Sequence, residues 1–360
     1  MHSPIRFIPD IFIKNRPIHL TVFLTKRCNS NCNFCFYLKD KNRDKTIDKE
    51  ITLEELRSVS ASMGRLLWLA FSGGEIYLKK DLIEITEAFY NNNRPSIILL
   101  PTNGFMPEII KEKTERILKS CPKSIVTVKV SLDGIGPTHD YIRGVRGGFD
   151  KVMKTCETLG ELLDIYPNFE LGINTLFCAK NQDDMDRIID FVNNMKTIKT
   201  HTITMIRGDI EDSSLKEIDF NKYLRAIKRL EYNLKEKKSQ IYRFKGAGVK
   251  AAQDIIQRRL IYKTKKESGR QIPCYAGRLN IVIEETGEVF PCELLHKGMG
   301  NLSDFDYRVD KLLEGKGAKN VIEFIEAGGC FCTHECYMMT NILFNPRMYG
   351  GLLKEYLRVR

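Results

Sequence analysis

Two groups of cysteines dominate the chemistry this sequence offers. Cys28, Cys32 and Cys35 follow one another at CxxxCxxC spacing in a polar segment from Lys26 to Lys39. Three thiolates so close together can wrap one corner of a compact iron-sulfur cluster and leave one iron without a protein ligand. An iron left open in this way can chelate a small ligand and pass it an electron. The other reading of such a triplet is a zinc site. Structural zinc, however, is usually closed by four ligands in CxxC-type pairs, and no further Cys or His follows Cys35 before Cys121 and His139.

The second group is Cys274, Cys292, Cys330, Cys332 and Cys336. Two fully cysteine-ligated clusters would need about eight thiols, so these five are enough for one. Either Cys330 or Cys332 is then spare, Cys274, Cys292, Cys332 and Cys336 are the favoured ligands, and His334 is a weaker one. A zinc-ribbon-like site is the alternative. The other three of the eleven cysteines, Cys121, Cys156 and Cys178, stand alone on helix or strand segments and read as buried thiols.

The elements that must position these groups can be read from periodicity. Short apolar or β-branched runs cover Leu20 to Leu24, Leu66 to Phe71, Ser96 to Pro101, Ile125 to Leu132, Glu170 to Phe177 and Thr200 to Ile206. Amphipathic helical runs alternate with them, the pattern of repeated βα units on a parallel sheet. Thr52 with Glu55 and Asp81 with Glu84 have the spacing of capping boxes; further helices are expected over Pro107 to Ser120, Phe149 to Leu163 and Asp184 to Met195. The expected fold is α/β, a partial (β/α)6 TIM-like barrel whose functional loops lie at the carboxyl ends of the strands.

After Arg207 the sequence changes to long polar helices, Leu215 to Lys237 and Ala247 to Lys263. Leu279 to Ile283 and Glu288 to Phe290 flank Glu285-Thr286-Gly287 as a β-hairpin. The boundaries expected are an N-terminal extension over 1–18, the barrel over 19–207, a basic connector over 208–272, a small β-hairpin and helix Fe-S module over 273–345 and a tail over 346–360.

At 360 residues with 42% hydrophobic side chains the chain can bury a substantial core. No apolar run is long enough to span a bilayer, the N-terminus lacks the apolar core of a signal peptide, and a cytoplasmic location without disulfides is expected. Between Lys222 and Arg270 sixteen Lys and Arg face four acids, so this stretch carries +12 against +11 for the whole chain and the remainder is nearly neutral. Such a stretch is either a solvated pair of helices or a surface for an anionic partner.

The segment TKRCNSNCNFCFY resembles the radical S-adenosylmethionine (SAM) superfamily, including Phe34 before the third cysteine. The resemblance runs from residue 19 to about 207. It implies that the first three cysteines hold a 4Fe-4S cluster which binds and cleaves SAM to a 5'-deoxyadenosyl radical. Gly73, Gly74 and Glu75 after the second strand match the family's GGE segment, whose backbone and acid receive the SAM amino group. Asn103 ends the third strand, and Ser131 and Asp133 end the fourth, as in the family. Arg143 matches an arginine that pairs with the SAM carboxylate, for which a guanidinium fork is suited; Ser131 would add a hydroxyl, and Asn174 would contact the ribose. Asn103, Asp133 and Asn174 also read as turn-forming polar residues at strand ends.

The second cysteine group, with its GxxxxC hairpin, resembles the shorter, twitch form of the superfamily's SPASM extension, which implies an auxiliary 4Fe-4S cluster. In related sulfatase-maturating enzymes an acid at the place of Glu293 accepts a proton, making Glu293 a candidate general base. Asp209 and the anion-binding Arg207, near the expected barrel mouth, are further candidates.

The expected activity is therefore an oxidoreductase or transferase reaction: SAM cleavage, hydrogen abstraction from substrate, and electron transfer through or substrate contact at the auxiliary cluster. A flavodoxin- or ferredoxin-type reductant would supply the electron. The expected substrate is a small molecule, sugar or lipid-linked compound, with an anionic one among them, because only about eighteen residues precede the first strand and a peptide-recognition domain is not seen there. Peptide maturation is the alternative within the superfamily. From another class comes a non-catalytic Fe-S or zinc protein binding nucleic acid through residues 222 to 270, which leaves Gly73 to Glu75, Ser131 and Arg143 without a role.

Overall fold

The computed structural model describes residues 1–38 and 49–360; Lys39, the last residue of the expected cysteine loop, lies outside them. Six strands follow one another in the order expected: β1 His19–Phe23, β2 Trp68–Ser72, β3 Ile97–Thr102, β4 Ile125–Ser131, β5 Phe169–Phe177 and β6 Thr200–Met205. All five neighbouring pairs are parallel. Three more strands, β7 Asn280–Ile283, β8 Glu288–Phe290 and β9 Gly300–Asn301, complete a sheet of order β6-β5-β4-β3-β2-β1-β7-β8-β9. The sheet is open, with β6 and β9 at its edges, so the barrel is partial.

The hairpin of the second cysteine group thus belongs to the barrel's own sheet. β7 runs parallel to β1, His19 opposite Asn280, and then turns antiparallel into β8. The expected tail is also structured, as the helix Tyr349–Val359 packed on the helix Ala247–Glu267.

β4 shows how sequence sets the two faces of this sheet. Val126, Val128 and Val130 are fully buried in the core shared with helices such as Pro107–Ser120. The alternating Thr127, Lys129 and Ser131 face the lumen of the barrel instead. Side chains alternate along a strand, so a run reading I-V-T-V-K-V-S places its apolar half outward under the helices and its polar half inward. β6 repeats the pattern: Thr202 and Thr204 face the lumen, while Ile203 and Met205 are buried. A lumen lined this way is a chamber of about 280 Å³, in contrast to the packed interior of a closed eight-stranded barrel.

The chamber is walled on its open side by later elements. Lys250, Asp254 and Gln257 reach it from the helix Ala247–Glu267, and Glu335, Cys336 and Met339 from the helix Glu335–Leu343. Part of the basic stretch is therefore interior. Elsewhere along it cations are paired, Lys222 with Asp183, Arg229 with Asp190, and Lys235 and Arg259 with Glu231 and Glu355. Tyr223 is in the core and Tyr242 and Phe244 line the lumen, so these aromatics pack rather than stand ready to stack on bases.

Of the two expected capping boxes one forms. Thr52 accepts from the Glu55 amide, and Glu55 reaches back to the Thr52 amide, at the start of the helix Leu53–Ser62. Asp81 precedes the helix Leu82–Asn93 with φ −91° and ψ 17°, and makes no side-chain cap bond. An N-cap normally has extended backbone, which Asp81 lacks. No helix among the described residues is long and apolar enough to cross a membrane.

Candidate active site

The loop carrying Cys28, Cys32 and Cys35 leaves β1 and is held by the ends of three other strands. After β2, the Gly74 amide donates to the Thr25 carbonyl at 2.7 Å and the Glu75 amide to the Arg27 carbonyl at 2.9 Å. The approach is so close that a Cβ on Gly74 would stand 2.2 Å from the Arg27 carbonyl oxygen, and one on Gly73, at φ +124°, 2.5 Å from that of Thr25. After β4, the Asn31 amide donates to the Arg143 carbonyl at 3.1 Å. After β6, Gly208 lies against Phe36. The glycines matter because backbone must meet backbone.

Glu75 is 1% exposed. Its Oε1 accepts from the Thr102 hydroxyl at 3.0 Å and the Tyr77 amide at 3.3 Å, and its Oε2 from the Asn103 amide at 2.7 Å. Burial pushes its carboxyl up to about 7 against the pull of those donors. The acid expected to receive the SAM amino group thus also holds the end of β3 to the GGE turn. Asn103, so placed, donates through Nδ2 to Asn29 Oδ1 at 2.7 Å and lies 3.9 Å from Cys28 Sγ.

Asp133 is fully buried and pairs through Oδ2 with Arg143 Nε at 2.5 Å, while Oδ1 accepts the Leu176 amide at 2.7 Å. The guanidinium lies with Cζ 5.1 Å from the Phe34 ring centre and Nη1 3.8 Å from Cys32 Sγ. Arg143 therefore joins the cysteine loop to β4. Ser131 and Asn174, paired across β4 and β5, both face the lumen.

The residues present fit a cluster. Around the cysteine loop the sulfurs have nearby donors. The Leu38 amide donates to Cys35 Sγ at 3.3 Å and Arg143 Nη1 to Cys32 Sγ at 3.8 Å, while the Ser30 hydroxyl, which donates to the Arg143 carbonyl, lies 3.0 Å from Cys32 Sγ. Such donors surround the thiolates of iron-sulfur sites and tune them.

Four of the five later cysteines, Cys274, Cys292, Cys330 and Cys332, line one small cavity of about 70 Å³, with Leu294, Leu295 and Ile325 among its apolar neighbours. Arg270 donates to the Cys330 carbonyl at 2.6 Å and 3.1 Å and lies 3.7 Å from its sulfur. Cys336 is placed differently, on the wall of the lumen. Burial pushes the Cys332 thiol up to about 11, with Cys274 adding to the rise.

Cys292 and Glu293 are consecutive, yet Cys292 faces the cysteine cavity and Glu293 the lumen. Glu293 Oε2 accepts from His334 Nε2 at 2.9 Å, and its amide donates to the Tyr337 hydroxyl at 3.0 Å. His334 Nδ1 accepts the Cys336 amide at 3.2 Å, so both ring nitrogens have partners. Arg207 donates to the Thr333 carbonyl at 2.8 Å and pairs with Glu335, which removes it as a free anion binder. Asp209 is exposed and stands outside the lumen lining.

Sequence reasoning passed over Lys129, Glu335 and Tyr337. Lys129 had a signal, the inward half of the β4 alternation. Glu335 and Tyr337 had none, since their partners Arg207 and Glu293 lie far away in the chain.

Comparison with known proteins agrees with this geometry. The AdoMet-dependent heme synthase of Methanosarcina barkeri is 25% identical over 313 residues, covering 83% of each chain. The sporulation killing factor maturation protein SkfB of Bacillus subtilis is 27% identical over 177 residues, 48% of this chain and 39% of its own. Among solved structures, native anSMEcpe with bound AdoMet superposes with a TM-score of 0.59 at 18% identity, covering 94% of this chain and 96% of that one; this likeness is one of fold. Residues 22–192 match the radical SAM superfamily, and that superfamily's cofactors, a 4Fe-4S cluster and SAM, suit the loop and strand ends described above.

Proposed function

We propose that this protein is a radical SAM enzyme that abstracts hydrogen from a substrate seated in the lumen and returns the resulting electron to an auxiliary 4Fe-4S cluster beside it. Cys28, Cys32 and Cys35 would hold the first cluster; Gly73, Gly74, Asn103, Ser131, Arg143 and Asn174 line or brace the place for SAM. When bound, cluster and SAM supply a hydrogen-abstracting radical. Cys274, Cys292, Cys330 and Cys332 would hold the auxiliary cluster, a set that replaces Cys336 of the sequence expectation with Cys330 because those four share one cavity.

The observation that carries this reading is the adjacency of Cys292 and Glu293 on opposite sides of one wall. Once a hydrogen atom has been abstracted, oxidising the carbon radical that remains removes one further electron and a proton. Glu293 stands in the lumen as the proton acceptor, held in place by His334 and Tyr337, and the next residue back would lead the electron to the second cluster. A flavodoxin- or ferredoxin-type protein would be the external electron partner.

The two relatives differ in substrate by name, one a heme synthase and one a maturation protein for a sporulation killing factor. A chamber of about 280 Å³ takes a small molecule or a single peptide side chain. The test of the reading is anaerobic reconstitution and dithionite-driven SAM cleavage, comparing wild type with Cys28→Ala and Cys292→Ala. Expected are about eight irons per chain and 5'-deoxyadenosine whenever Cys28 is intact. A well-reconstituted wild type that leaves SAM uncleaved overturns it.

A further inference from the structure

Lys129 is an anomaly in the centre of the barrel. It sits mid-strand on β4, faces the lumen, and lies flat across β5. Its route is open because β5 has a glycine there: a Cβ on Gly172 would stand 2.6 Å from Lys129 Nζ and 2.3 Å from Thr200 Oγ1. Nζ donates to Thr200 Oγ1 at 2.6 Å and Thr202 Oγ1 at 3.3 Å. Both partners are neutral hydroxyls, and among the described residues no ion pair within 4.0 Å involves Lys129. An ammonium has three donors, so the hydroxyls leave it one more.

Two acids act on Lys129 from a distance, Asp254 and Glu170. Asp254 is paired with Lys250 through Oδ1 and accepts the Tyr242 hydroxyl on Oδ2 at 2.9 Å. Glu170 accepts the Arg243 amide on Oε1, while its Oε2 is buried without a hydrogen-bond partner and makes no ion pair with Lys129. A cation inside a protein without a counter-ion is costly and persists where something else completes it. The lumen also carries unsatisfied donors: Thr21 Oγ1, in a residue only 2% exposed, and Trp68 Nε1 are buried without a hydrogen-bond partner, and both residues line the chamber. Phe71, Ile97, Leu99 and Phe244 give the chamber an apolar part of its wall, while the carboxylates of Asp254, Glu293 and Glu335 also line it.

We infer that the lumen binds a substrate carrying an oxyanion, a carboxylate or phosphate, on a partly apolar body, and that Lys129 with Thr202 is the group that recognises the oxyanion, Thr200 holding the ammonium from behind. This rests on the reading of the lumen as the substrate chamber and specifies what enters it. Lys129 is here a specificity residue, and its conversion to arginine keeps the charge.

The empty site should titrate. Burial pushes Lys129 down to about 7, with Asp254 and Glu170 pulling it up and Lys250 and Arg258 pushing it down. Below that pH the ammonium is present and the oxyanion binds; as pH rises through it, binding weakens. Trp68, the chain's one tryptophan, reports occupancy of the same chamber by its fluorescence.

The experiment uses reconstituted, SAM-loaded protein titrated with benzoate, phenyl phosphate and neutral benzamide, followed by Trp68 fluorescence and calorimetry, for wild type, Lys129→Met and Lys129→Arg. Expected is that the better of the two anions binds wild type at about pH 6 and loses roughly tenfold or more in affinity on Lys129→Met, or at about pH 8.5. Lys129→Arg should retain binding, and benzamide should not respond to the charge. Which anion binds tighter separates a carboxylate substrate from a phosphate. Equal anion binding by Lys129→Met, or no anion binding better than benzamide, overturns the proposal. If Lys129→Met does not fold, the wild-type pH series decides alone. SAM affinity, measured in the same samples, separates the two readings: its absence in wild type sinks the enzyme assignment, whereas its retention without anion binding sinks only the inference about Lys129.

Discussion

Asp133 Oδ2 and Arg143 Nε meet at 2.5 Å in a pair whose carboxylate is wholly buried. The pair is a joint between the sheet and the cysteine loop, because Asp133 also receives the Leu176 amide of β5 while the Arg143 carbonyl receives the Asn31 amide and the Ser30 hydroxyl. Removing one partner leaves the other as an uncompensated buried charge, at a cost of about 3–5 kcal/mol. Asp133→Ala is therefore expected to lower unfolding stability by that order in urea titrations. Arg143→Lys, which cannot reproduce the fork that reaches Asp133 and Cys32 together, is expected to fold with less loss but to hold less iron.

Gly74 tests the same loop from the other side. With 2.2 Å between a would-be Cβ and the Arg27 carbonyl oxygen, Gly74→Ala must push the cysteine loop away from β2. The outcome expected is selective: the first cluster is lost and iron falls from about eight to about four per chain, while the second cysteine site, reached through β7 and β8, keeps its share. Iron analysis with EPR of the reduced protein checks this, and a Gly74→Ala protein with full iron and normal SAM affinity contradicts it.

The second cysteine group yields a ranking. Cys330 lies on the cavity shared with Cys274, Cys292 and Cys332, and Cys336 lies on the lumen. Cys336→Ala is expected to reconstitute about eight irons, and Cys330→Ala only about four. The reverse order would restore Cys336 as the fourth ligand.

What the sequence disclosed and what it withheld divide along the range of the interactions. The six parallel strands were readable because each is a short run whose alternation and flanking turns are local, as in Ile125–Ser131. The site residues at their ends, Gly73 to Glu75, Asn103, Ser131 and Asp133, could be named through the resemblance to the radical SAM superfamily. Their roles could not. Glu75 turns inward because Thr102 and Asn103, from another strand, offer three donors with Tyr77. Asp81 has the spacing of a cap without its backbone angles. The lumen's later wall, and the distinction between Cys330 and Cys336, depend on how the chain turns around Cys332 and His334, which no periodicity records. β7 joining β1 is likewise a long-range pairing, and the hairpin spacing alone gave no sign of it.

His139 links the same joint to acidity. It is fully buried, and its Nδ1 accepts the Asp133 amide at 3.1 Å, a bond that only the neutral ring can make. Burial pushes it down to about 4, with Arg143 adding to the fall and Asp133 and Asp140 opposing it. A histidine lowered in the folded state is protonated first in the unfolded one. Its contribution is therefore intact above the ordinary value of 6.5 and is lost as pH falls from there toward 4. The slope from one such group approaches about 1.4 kcal/mol per pH unit. Urea unfolding of the cluster-free chain at about pH 7 and about pH 5 is expected to show this loss in wild type. His139→Gln should be less stable at the higher pH but flatter between the two, by about one proton's worth of slope. If its pH dependence equals that of wild type, acid sensitivity arises elsewhere and the Asp133 loop does not depend on a neutral His139.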